Sequence, residues 1–355
     1  MPSVAGRSRY QTLAIIELPK RQAMFSALQT PTTMKAYAGG RSENSGSLHE
    51  ISDSPGLAYW AAAVLNRDGI EPAAYARLTN HPRFIEAARQ SARVAVARHT
   101  GNPLISRTIK DIRRVMYGVF VLYLDARGEL SLKAIRDVCV ELGFASPGYA
   151  AAILLRLRVM GFVTRDTNVT DKRVRRYIPS PLMKKAFTEL LGNELLAFGV
   201  IEPEALDAAE ALKNSEVFKF FALNGGRGLS RIVKKAEPDL LHLFATRDVG
   251  IAILHEIALS GAEGDTYPPK GPVRMAVAPL ARKFGVSRSH VFRLLRDAEK
   301  QKLLRRDADE MTGYFEESLR EGLLRFHASG FLSVAAGAYQ AMTDVNYQPA
   351  KASVR

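Results

Sequence analysis

The sequence predicts a mainly α fold with small antiparallel β-hairpins, laid out as two similar units behind a disordered N-terminal segment. Three observations predict it. From Leu57 onward, apolar residues recur at helical spacing over most of the chain. Two helical stretches run directly into short strand-like pairs, after Gly161 and after Leu303. A short pattern also repeats: Leu78-Thr79-Asn80 with Phe84 is echoed by Leu212-Lys213-Asn214 with Phe218. The boundaries that follow are a flexible segment over 1–56, a first unit over 57–200, a second over 201–345 and a flexible tail over 346–355. An internal duplication would give units of about 120 to 140 residues, each large enough to fold alone.

Composition narrows the class. A chain of 355 residues has room for a sizeable core, and 47% apolar content is ordinary. A formal net charge of +14 favours a polyanionic partner, nucleic acid before acidic membrane. The lone Cys139 excludes an internal disulfide and a thiolate metal site, and it reads as a plain core thiol. No apolar run approaches the length of a membrane span, and no secretory leader is legible, so the expected compartment is a bacterial cytoplasm, in association with the nucleoid.

Taken in order, the segment before Leu57 carries one apolar patch (Leu13, Ile15, Ile16, Leu18) and then linker chemistry rich in Gly and Ser. Its scattered Arg7, Arg9, Lys20 and Arg21 read as a solvated tail, or else as a basic arm. LAYWAAAVL predicts a helix that places Trp60 in a core, and a second helix is expected from about Pro82 to His99. Ser106–Leu124 is amphipathic, with Ile109, Ile112, Met116, Phe120 and Tyr123 on one side. Ser131 caps a helix carrying Leu132, Ile135, Val138 and Leu142, and the next runs to Met160 with Ile153, Leu154 and Leu157 inward. Gly161–Ser180 reads as strand, basic tip and strand, with a turn at Thr170-Asp171, and Pro181 opens another helix.

The second unit opens with one helix expected over Glu202–Leu223, broken by the NGGRG run at Asn224–Gly228. A helix over Asp248–Ser260 and the loop GAEGDTYPPKGP follow. Pro279–Phe284 predicts a short helix, Gly285-Val286 a turn, and Ser287 an N-cap. Val291, Leu294, Leu295 and Ala298 then face a core, while Arg288, Ser289, His290, Arg293 and Arg296 face outward. Leu303-Leu304-Arg305-Arg306 starts a strand, and Gly330–Met342 is a helix rich in small residues, suited to intrachain packing or a homodimer contact.

The run G-V-S-R-S-H-V-x-R-L-L from Gly285, with its turn, cap and following strand, resembles the helix-turn-helix of MarR-like winged-helix transcription regulators. The first unit is similar in its order of helices followed by a hairpin, and D-K-R-V-R-R-Y-I-P-S from Asp171 looks like that family's wing. The resemblance implies a fold mainly α with small β-wings: two winged-helix units in one chain, a pseudo-dimer. It also implies double-stranded DNA as partner, with two non-identical heads reading an asymmetric or weakly palindromic site. It does not reach the first 56 residues or the segment from Gly199 to Asp248.

Candidate contacts divide unevenly between the heads. In the second, Arg288, His290 and Arg293 are candidates for base or near-base contacts, Arg296 is a further DNA-binding candidate on the same face, and Ser287 and Ser289 are candidates for phosphate through hydroxyls at a helix N-terminus. Its wing tip, Asp307-Ala308-Asp309-Glu310, departs from the family and would be repelled by phosphate. In the first head the helix offers Ser146 and Tyr149, then Ala150, Ala151 and Ala152 for close approach or thymine methyls. There the wing supplies the charge, through Lys172, Arg173, Arg175 and Arg176.

No enzyme signature survives inspection. His255-Glu256 lacks the second histidine of a zinc-protease motif, and GGRG lacks the strand and lysine of a phosphate loop. The expectation is therefore a non-enzymatic regulator without cofactor or metal, and no effector pocket is legible. A plasmid-type replication initiator, an architectural chromosome-binding protein and a winged-helix scaffold for protein contacts remain as alternatives.

Overall fold

The computed structural model describes residues 54–65, 70–101, 108–143, 145–167, 175–235 and 241–348. The expected flexible segment up to Asp53, the wing-tip residues Lys172 and Arg173, the turn at Thr170-Asp171, and the tail from residue 349 lie outside them. The described chain is mainly helical, with two small antiparallel sheets.

The first half runs α1 (Leu57–Leu65), α2 (Pro72–Thr79), α3 (Phe84–Gly101), α4 (Ile112–Ala126), α5 (Leu132–Glu141), α6 (Pro147–Val159), β1 (Val163–Arg165), β2 (Tyr177–Pro179) and α7 (Pro181–Phe198). The second runs α8 (Glu204–Ala211), α9 (Ser215–Lys235), α10 (His242–Thr246), α11 (Gly250–Leu259), β3 (Val273–Arg274), α12 (Val277–Phe284), α13 (Arg288–Lys300), β4 (Leu304–Arg306), β5 (Thr312–Phe315) and α14 (Glu317–Asp344). Side-chain caps set several helix starts. Asp111, Ser131, Ser146, Ser180 and Ser287 each accept from the backbone N–H three residues on, at 3.0 to 3.3 Å.

One order of elements occurs twice. In the first head α4 leads to a bridge between Ser131 and Arg176, then α5, α6 and the β1–β2 hairpin. In the second, α11 leads to β3, then α12, α13 and the β4–β5 hairpin, with β5 central in its sheet. The echoed residues fall at equivalent places: Leu78 and Leu212 end α2 and α8, and buried Phe84 and Phe218 stand at the starts of α3 and α9.

Packing between the halves is exchanged. Helix α3 belongs to the first half but lies on α11, where Ala88, Ala92 and Val96 complete the core of the second head. Helix α9 belongs to the second half but lies on α4, where Phe218 and Ala222 complete the core of the first. A third core joins them, with Trp60, Phe84, Phe198 and Phe331 drawn from α1, α3, α7 and α14. Phe198 stacks on Phe331 at 5.6 Å, and Trp60 meets Phe198 edge-on at 5.9 Å. A cut near residue 200 therefore does not separate two self-contained bodies, because each head takes a wall from the other half.

Several expectations are corrected. Helix α2 is missed by the sequence reading, and α4 begins at Ile112 rather than Ser106 because Asp111 caps it. The single helix expected over Glu202–Leu223 is two, split where the Asn214 side chain accepts from the N–H groups of Glu216 and Val217. Asp248 is not helical, since α11 begins at Gly250. Residues 54–56 are not a loose linker: the Ser54 hydroxyl donates to Glu202, whose carboxylate also accepts from Trp60 Nε1 at 3.1 Å. At the other end, Tyr347 N–H donates to Met342 O at 2.9 Å, so the chain stays attached past residue 346. The small-residue face of α14 is consumed inside the chain, with Ala335, Ala338 and Ala341 fully buried, rather than held out for a second copy.

The glycines of NGGRG do not break α9. One of them lets it approach α4: a Cβ on Gly226 would lie 2.3 Å from Tyr123 Cγ. A Gly226→Ala chain should lose about 1–3 kcal/mol to overpacking, more than the roughly 1 kcal/mol that alanine gains in helix propensity. Urea unfolding checks this, and a midpoint at or above that of the parent chain would contradict it.

Candidate nucleic-acid interface

Helix α13 is held by one face and presents the other. Val291, Leu294, Leu295 and Ala298 are fully buried, while Ser287, Arg288, Ser289, Phe292, Arg293 and Arg296 are exposed. The Ser287 hydroxyl accepts from His290 N–H at 3.1 Å and sits 3.0 Å from the Ser289 hydroxyl. Arg293 Nε donates to Ser289 O at 3.2 Å, which lays its guanidinium along the first turns of the helix. Arg296 stands over the Phe292 ring at 5.8 Å. His290 turns inward instead: its Nε2 lies 2.9 Å from Asp248 O, which ties the helix to the body and takes that nitrogen away from any base edge.

The second hairpin is built around Arg306, whose side chain is only 6% exposed. It donates to Glu299 on α13 at 2.6 Å and to Glu310 at 3.2 Å, and it lies 5.6 Å from the Phe292 ring centre. The acidic tip is largely engaged within the hairpin. Asp307 accepts from the Thr312 hydroxyl at 2.8 Å, and Asp309 accepts from Met311 N–H at 2.9 Å. The Met311 and Thr312 amides hold the Asp309 carboxyl below the usual range. Arg305 remains exposed, 4.7 Å over the Tyr314 ring. It is a cation that the sequence reading passed over as mere strand.

The first head differs in kind. Ser146 caps α6, and Tyr149 in its first turn is half-buried. Ala150 cannot approach a ligand, because it is fully buried and its carbonyl accepts from Tyr117 O–H at 2.7 Å. Only Ala152 of the three alanines is exposed. The outward side of α6 carries Leu155 and Val159, 59% and 77% exposed, beside exposed Arg156 and Arg158, so it mixes apolar and cationic side chains. Arg175 and Arg176 are exposed at the start of β2, where Arg176 O accepts from Asp166 N–H at 3.0 Å. Cys139 is buried in the α5 core, and burial pushes its thiol up to about 12, as a structural cysteine requires.

The two heads meet beside these helices at Asp248. Its carboxylate accepts from Lys110 at 3.1 Å and from Arg114 at 3.0 Å, both from the first head. Partial burial pushes this carboxyl up, but the two cations outweigh burial and hold it below the usual range. Arg113 donates to Thr246 O at 3.0 Å, and Val249 N–H donates to Lys110 O at 2.7 Å from a left-handed backbone (φ 50°) that a β-branched residue rarely adopts. Arg114 also lies within electrostatic reach of Tyr149. Contacts thus run from Lys110 and Arg114 at the start of α4, through Asp248, to His290 in the first turn of α13. Nothing in the spacing of Lys110, Arg114 and Asp248 along the chain signals that they would meet.

Among the described residues no helix is long and apolar enough to cross a membrane. No family model, no curated protein and no solved structure matches this chain.

Proposed function

We propose that the chain binds double-stranded DNA through two non-identical winged-helix heads and acts as a transcription regulator. The observation that carries this reading is α13: a capped helix with a fully buried apolar side and an exposed side bearing Ser287, Arg288, Ser289, Arg293 and Arg296. A helix of that description, followed by a hairpin, matches the width of a major groove and supplies donors for guanine edges and phosphates. The excess of cations over anions supports the same partner. The contacts at Asp248 support joint use of both heads, because they tie α4 of the first head to His290 in the first turn of α13.

Selection of bound duplexes from a random pool tests the reading. Enrichment of one or two half-sites supports it. Retention of unrelated duplexes with equal affinity would favour an architectural role. Repeated sites clustered near an origin would favour a replication initiator. The exposed Leu155 and Val159 on α6 favour a second reading, a scaffold that binds protein through its first head. Absence of duplex binding at moderate salt would leave that reading in possession.

The first wing is assigned to phosphate. Replacing Arg175 and Arg176 together by alanine should weaken binding to all sequences alike and reduce the salt slope by about 1 to 2. An unchanged slope removes the wing from the interface.

A further inference from the structure

The two heads stand in the same relation to the central helices, but their seams differ. Between the first head and the centre, the end of α4, the start of α7 and the α8–α9 junction enclose an open cleft of about 580 Å3, with Leu122, Asp125, Lys184, Thr188 and Lys219 on its walls. The corresponding elements around the second head are α11, α14 and α3. There the loop between α11 and β3 enters the seam. Arg89 on α3 donates to Asp265 O at 2.7 Å, and Arg320 on α14 donates to Pro268 O at 3.3 Å. Between them Tyr267 is 1% exposed, and its hydroxyl lies 3.0 Å from His255 Nδ1 on α11 and 3.0 Å from His327 Nε2 on α14. A phenol that donates to one imidazole and accepts from the other ties three elements at a single buried point. A smaller cleft of about 180 Å3 lies beside the loop, between α3 and the end of α11.

We propose that this loop is a rivet: it fixes the second head to the central helices and leaves the first head, with its open seam, as the one that moves. The rivet is specific to one half, because the first-half counterpart of the loop is the short turn after Arg127. It does not depend on what the outer faces bind. If they bind DNA, the second head sets position and the first adjusts to the spacing of the site.

Amide hydrogen exchange on the full chain without DNA tests the rivet alone, so its failure leaves the DNA reading standing and the converse also holds. In the parent chain, amides of α11 and α13 should exchange about tenfold or more slowly than those of α4 and α6. Tyr267→Phe keeps the ring and removes the hydroxyl. It should speed exchange in α11 by about tenfold and leave α4 and α6 unchanged. Equal protection of the two heads in the parent chain overturns the proposal, whether or not the variant folds. Equal loosening of both heads by Tyr267→Phe overturns it too, since the hydroxyl would then support the whole core rather than one seam.

Discussion

Lowering the pH from about 7.5 to about 4.5 should cost the fold about 3 kcal/mol through His327 alone. Burial pushes this imidazole down to about 3, and its Nδ1 has no partner to accept a proton's charge. The unfolded chain binds a proton near the ordinary value of about 6.5, which the folded chain refuses. The stabilising contribution is therefore complete above about 6.5 and is lost as the pH falls toward 3. Burial moves His255 in the same direction, helped by His327, Arg98 and His99, and it moves His99 down to about 4. Buried Glu194 works the other way: burial raises its carboxyl against Ser91 and Arg98, so its penalty eases in acid. Asp248 and Asp265 are held below the usual range and stay charged through most of this window. Urea unfolding at the two pH values, on the parent chain and on His327→Gln, measures the effect. The variant should lose about 3 kcal/mol less stability than the parent chain on the same acidification, the His255 and His99 contributions remaining in both. Parallel losses in both chains would remove His327 as the source.

A chain carrying Arg288→Ala, Arg293→Ala and Arg296→Ala should lose at least about a hundredfold in affinity for its selected duplex, with the salt slope reduced by about 2 to 3. All three side chains are exposed, and the opposite side of α13 is fully buried, so the fold should survive their removal. An unaltered urea midpoint is the control. Arg293→Ala alone should cost about 1–3 kcal/mol and relax base preference, if its guanidinium makes a bidentate contact. Uniform loss on every sequence would reassign Arg293 to phosphate. A triple variant that binds like the parent chain would sink the proposed function.

Local chemistry made much of the second head legible. Ser287 is a cap by residue type, Val291, Leu294, Leu295 and Ala298 have helical spacing, and Gly285 sits in the left-handed turn that glycine favours. The same rules misjudged NGGRG, because the close approach of Tyr123 decides the conformation there and a local breaker rule cannot see it. They likewise read the stretch between α11 and β3 only as a loop, since nothing in GAEGDTYPPKG announces that Tyr267 ends between two buried histidines. His290 looked outward by periodicity and turns inward because the Asp248 carbonyl, far off in sequence, lies 2.9 Å from its Nε2. The exchange of α3 and α9 between heads leaves no trace in periodicity at all. An apolar stripe states that it will be covered, and topology alone says by what.

That exchange also governs how the protein can be made. On the ribosome, α3 emerges long before the α11 surface that clothes it, and the first head emerges before α9 can close it. Completion is thus a late event that waits for nearly the whole polypeptide. A synthesis arrested near residue 200 would leave the first head without its α9 wall and α3 with its apolar side uncovered, both exposed to the chaperone machinery, rather than one finished domain.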